Sequence, residues 1–152
     1  MSFQHFTLFL HLLGVIVWVG GMAFAYLCLR PAAAALDPSQ RLQLWVAVFA
    51  RFFPLVWISI ALILLSGLGT MIRFGFGSVP GAWHWMMATG LLMVAVFVWI
   101  WVGPWGALKS AVISEDWARG ADALKRIRQR VAFNLGLGIV TVAIATLGLG
   151  TP

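Results

Sequence analysis

From Phe6 to Leu29 the chain carries no charge except what His11 can hold, over 24 consecutive residues. About 20 apolar residues suffice to carry an α-helix across the hydrocarbon of a bilayer. In lipid every backbone polar group must find its partner inside the segment, which leaves helices as the architecture for such a run. The run exceeds the apolar core of a signal peptide, and no Lys or Arg precedes Arg30. The helix is therefore expected to remain in the mature protein.

Comparable runs follow at 54–72, 83–102 and 131–149. With 62% apolar and only 9% charged residues, the chain cannot cover a soluble surface. The reading is all-α: one membrane domain over 1–152, an integral membrane four-helix bundle made of two helical hairpins. Arg30-Pro31 is expected to close the first span, Ser39 to cap the second helix, and Pro54 to kink it. The stretches 40–53 and 109–130 are amphipathic or polar, and read as cytoplasmic extensions of helices 2 and 4. Trp83 and Trp85 at one end of the third span, and Trp99, Trp101 and Trp105 at the other, suggest interfacial belts.

The net charge of +6 invites a nucleic-acid reading, but the charges sit in the wrong places for it. Nine of the ten Lys and Arg residues fall on one side of the spans and only Arg73 on the other. The positive-inside rule makes the first side cytoplasmic, with both termini and the 73–82 loop periplasmic, in a bacterial inner (plasma) membrane crossed several times. The basic patch is thus a topology signal, with contact to anionic lipid head groups as a second role. Arg51 and Arg130 are placed where the extensions enter lipid, to reach phosphates or bind an anionic group. Cys28 stands alone, which excludes a disulfide framework or a cysteine metal cluster and leaves a packing role.

An ionisable side chain inside a membrane is costly and by default marks a functional site. Helical offsets put Gly14, Trp18, Met22 and Ala25 on the face of His11. Gly14 leaves room one turn away for something flat. All three histidines (His5, His11 and His84) fall in the outer half of the membrane, and Met87, Ala88, Leu91 and Ala95 share the face of His84. His11 precedes Pro31 by twenty residues and His84 precedes Pro104 by the same twenty. The second and fourth spans end in Ser66-Gly67-Leu-Gly69 and Leu147-Gly148-Leu-Gly150. The halves read as a parallel repeat about an axis along the membrane normal, with His11 and His84 at equal depth.

Two readings of the site follow. Paired histidines with small neighbours suit haem b, with His11 and His84 as axial ligands and Gly14, Trp18, Met87, Ala88 and Arg51 around them. Such a protein would pass electrons across the membrane or on its periplasmic side, to a redox partner or quinone. The alternative is copper, for which His5, His11, His84, Met22, Met86 and Met87 supply imidazole and thioether ligands suited to Cu(I). A purely structural membrane subunit is a third class; the partners expected are the lipid bilayer and, in a homo-oligomer, further copies of the chain. An enzyme, if this is one, would be a membrane oxidoreductase, although the spans offer no carboxylate.

The string His11-Leu-Leu-x4-Trp18-Val-Gly-Gly21-Met22 resembles the histidine-bearing helix of the copper-resistance protein D (CopD) family. Arg51-Phe-Phe, the Trp-His-x-Met beginning at Trp83, Pro104-Trp105 and Asp116-Trp117 extend the likeness to small stand-alone members. The resemblance implies a bundle of four or more helices and a link to copper. The first span also resembles that of HemJ-type protoporphyrinogen oxidases, which bind haem. Those carry a lysine soon after the third-span histidine, where this chain reads His84-Trp-Met86-Met87.

Overall fold

The structure is a computed structural model that describes residues 3–147, and among them it is helical with no strand. The helices are α1 (Phe3–Ala33), α2 (Pro38–Phe74), α3 (Gly81–Val102), α4 (Pro104–Ile113) and α5 (Trp117–Leu147). Four helical segments are long and apolar enough to cross a membrane: α1, α2, α3 with its α4 continuation, and α5. The protein is a multi-pass membrane protein.

Three local expectations are corrected. Arg30-Pro31 does not end α1, which runs on to Ala33. The widened i→i+5 turns at Ala25–Leu29 come just before Pro31, where a proline ring displaces a hydrogen bond. Asp37, not Ser39, is the residue before α2, with φ −56° and ψ 151°, and Pro38 takes the first helical position. A proline there is already set at helical φ and loses no needed donor. The polar stretch 109–130 is not one extension. It turns at Ser114–Asp116, where Glu115 adopts φ 55°, and the Asp116 carboxylate accepts the Arg119 N–H at 3.0 Å as an N-cap. Leu108, Ala111, Leu124 and Ile127 on either side of that turn are all buried, so α4 and α5 fold back as a packed hairpin. α2 continues through Pro54 unbroken.

Two hairpins do form the bundle: α1 lies along α2, and α3 along α5. α5 also reaches α1 and α2. In lipid the helices gain little from hiding apolar surface, so close approach at small residues holds them together. A Cβ on Gly138 of α5 would stand 3.0 Å from Val19 and 3.3 Å from Met93, which wedges α5 between α1 and α3. Across the middle, α2 meets α3 and α4 through rings. Phe53 packs edge-on to Phe97 and Trp105 with centroids 5.4 and 5.3 Å apart. Trp105 is therefore a core residue, 5% exposed, and not part of an interfacial belt.

Candidate functional site at His11

The face of α1 chosen by helical offsets is the buried one: Gly14, Trp18, Met22 and Ala25 are all buried and His11 is half-buried. Its imidazole rests on α2. A Cβ added to Gly67 would stand 3.5 Å from His11 Cε1, in ordinary contact, so the ring lies directly against that turn. His11 Nδ1 lies 3.0 Å from Ser66 Oγ. Ser66 Oγ is also 2.5 Å from the Leu62 carbonyl, and two oxygens that close need a proton between them. The serine hydrogen is thus committed to the backbone. In the Nδ1–H tautomer His11 then donates to Ser66 Oγ, and the ring also bonds the Ile63 backbone carbonyl. A histidine that ligates a metal is oriented in this way, by a hydrogen bond from its other nitrogen. Ser66 went unread in the sequence. The available signal was a hydroxyl within an apolar helix, one residue before a glycine.

The other expected site residues do not join His11. His84 is exposed, and so are Ala88, Leu91 and Ala95 on its face. Helix α3 turns its opposite face inward, burying Met93, Phe97 and Ile100, because those larger side chains fill the space toward Phe53. Met86 and Met87 are half-buried and His5 is exposed. The room expected at Gly14 is filled: a Cβ there would meet both the Ile63 side chain and the Ser59 carbonyl oxygen at 2.9 Å. Trp18 is in the core, edge-on to Phe97 at 6.3 Å. Met22 is buried, but eleven residues along α1 from His11 it stands about 16 Å away by helical rise, too far to share one ion. Arg51 is exposed and donates to the Ala47 carbonyl at 3.0 Å.

The family model for copper resistance protein D matches residues 46–147. The chain belongs to the copper resistance protein D family. No curated protein and no solved structure gives a significant match. The matched range begins within α2, so His11 lies outside it. The family match lends nothing to the HemJ-type likeness.

A copper-related role can be held against the residues present. Among the described residues no three of His, Cys, Asp and Glu cluster as a metal site, so a copper ion here would depend on His11 and thioether sulfur. Met71 of α2 is buried, at 4% exposure, one turn beyond Gly67. Met71 is the fourth residue after Gly67 on α2, which puts the two on one face of that helix. Imidazole and thioether together suit Cu(I). For haem the fit is poor, since His84 and its neighbours face away from the bundle and the Gly14 gap is closed.

Proposed function

We propose that the protein binds copper as cargo at the end of the bundle where His11 sits, with His11 Nε2 and the Met71 thioether as ligands to Cu(I). The observation that carries this is the His11–Ser66 hydrogen bond, which holds the imidazole on α2 in the manner of an oriented metal ligand. Family membership and the buried thioether support it. The orientation proposed with it places both termini and the 73–82 loop on the periplasmic side of a bacterial inner membrane, and the basic ends of α1, α2, α4 and α5 in the cytoplasm. It rests on the distribution of Lys and Arg. His11 then receives copper from the periplasm. A haem between His11 and His84 now has only the twenty-residue spacing in its favour.

The test is purification from copper-supplemented, haem-replete cells, followed by competition with a chromophoric Cu(I) chelator. Copper should be retained by the wild type and lost in His11→Ala and Met71→Leu. A Soret band that disappears in His84→Ala, in a protein without copper, would return the haem reading to first place. Reporter fusions after α5 should be active only outside the cytoplasm.

A further inference from the structure

The contacts of Thr89 with Thr141, of Met93 with Asn134 and of Trp99 with Arg130 run in opposite order along α3 and α5, so the two helices are antiparallel. The last of these contacts lies toward the end of the bundle that carries most of the Lys and Arg. There Arg130 stands over the Trp99 ring, 4.6 Å from its centroid. Beside the pair is a groove of about 270 Å³, lined by Ala95, Val96, Trp99 and Arg130 and open along one side. Trp99 is one turn beyond Ala95, about 6 Å by helical rise. The groove therefore has a charged end at Arg130 and an apolar end at Ala95, toward the middle of the bilayer.

The charge at that end is not answered from within the protein. Of the four carboxylate side chains, Asp122 pairs with Arg126 at 2.9 Å and Asp116 caps α5, while Asp37 and Glu115 are exposed. Among the described residues none forms an ion pair with Arg130, and none accepts a hydrogen bond from it. The Trp99 ring steadies the cation but offers no oxygen to its five N–H donors. Arg51, placed at the same interface by the sequence, differs: its guanidinium already donates to the Ala47 carbonyl. Both Arg130 and Trp99 are exposed, so the pair faces the lipid and its head groups.

We propose that the groove seats an anionic phospholipid, its phosphate on Arg130 and the first part of an acyl chain along Ala95 and Val96. A guanidinium presents paired N–H donors that match two phosphate oxygens. Trp99 holds that guanidinium before the lipid arrives, so less side-chain freedom is lost on binding. The head group is anionic because a zwitterionic one would bring its own cation to the same place and set it against the arginine. Ala95 keeps the apolar end open, since a larger side chain there would fill it. The site stands apart from the copper reading, because it shares no residue with His11, Ser66 or Met71.

The test uses the full chain in nanodiscs of mixed phosphatidylglycerol and phosphatidylcholine, released into native mass spectrometry. The wild type should retain phosphatidylglycerol in preference to phosphatidylcholine. Arg130→Gln should reduce that preference about tenfold, the scale of a lost charge-assisted bond. Ala95→Leu should also lower retention, with the charge intact, by filling the apolar end. Both positions are exposed, so both variants should stay monodisperse. Arg51→Gln removes an equal charge away from the groove and should match the wild type. Excess inorganic phosphate should leave the lipid in place, because the acyl chain holds it; displacement would mean a plain anion site and would overturn the lipid. Retention unchanged in either Arg130→Gln or Ala95→Leu, or lowered as much by Arg51→Gln as by Arg130→Gln, would overturn the proposal.

Discussion

The α1–α2 and α3–α5 hairpins look like copies in the sequence, yet they treat their histidines in opposite ways. Aligned on their histidines, Gly14 of the first corresponds to Met87 of the second. Aligned on Gly-Leu-Gly, Ser66 corresponds to Leu147. In the first hairpin a glycine lets α1 come down onto α2, and a hydroxyl waits where the imidazole lands. In the second, the position matching the hydroxyl is an exposed leucine, and α3 keeps its histidine outside. The polar contacts of that hairpin fall deeper, as Thr141 to Thr89 at 2.8 Å and Asn134 to the Met93 carbonyl at 3.3 Å. A membrane histidine becomes a site through what stands opposite it on the partner helix, more than through its own depth.

The contact between the hairpins should be the most sensitive point. Phe53→Ala removes the ring that Phe49, Phe97, Trp101 and Trp105 all touch. In soluble cores such a change costs about 3–5 kcal/mol through transfer and cavity terms. In detergent or lipid the loss should be nearer about 2–3 kcal/mol, since the unpacked reference is already apolar. Thermal unfolding in detergent measures it, and a change under about 0.5 kcal/mol, the scale of a neutral surface substitution, would mean that the rings do not join the hairpins.

Next comes the asymmetry itself. Gly14→Ala drives a methyl into the Ser59 carbonyl of the neighbouring backbone, which cannot swing aside, and should destabilise by about 1–3 kcal/mol. Met87→Ala, its counterpart in the other hairpin, should cost less in the same assay. Equal costs would restore the symmetry that the packing denies. Ser66→Ala releases the His11 ring and should weaken Cu(I) binding by about tenfold or more, the usual scale for a partner that orients a ligand. Unchanged chelator competition would remove Ser66 from the site. His84→Ala should move neither copper retention nor stability beyond about 0.5 kcal/mol, as for an exposed position.

The inward face of α1 was legible because a helix in lipid obeys one period, and Gly14, Trp18, Met22 and Ala25 follow it from His11. The four spans were legible for the same reason. The hairpin at Ser114–Asp116 was not, since charge from Lys109 to Arg130 hides the buried stripe of Leu108, Ala111, Leu124 and Ile127. The inward face of α3 was also hidden. Almost every residue from Leu91 to Val102 is apolar, so periodicity cannot choose between the side of His84 and that of Met93 and Phe97. Trp105 read as a belt residue because sequence position gives depth along a helix but not direction around it. Ser66 carries its meaning only through a neighbour on another helix.

Helix α1 joins the two ends of the molecule with no charged side chain between them. At about 1.5 Å per residue, the rise from His11 to Arg30 is about 28 Å, close to the roughly 30 Å of bilayer hydrocarbon. Most of any membrane voltage therefore falls along this one helix. A cation that reaches His11 from its own side has crossed little of that field. One carried on to the level of Arg30 would cross nearly all of it, a difference of about 2.3 kcal/mol per charge for each 100 mV.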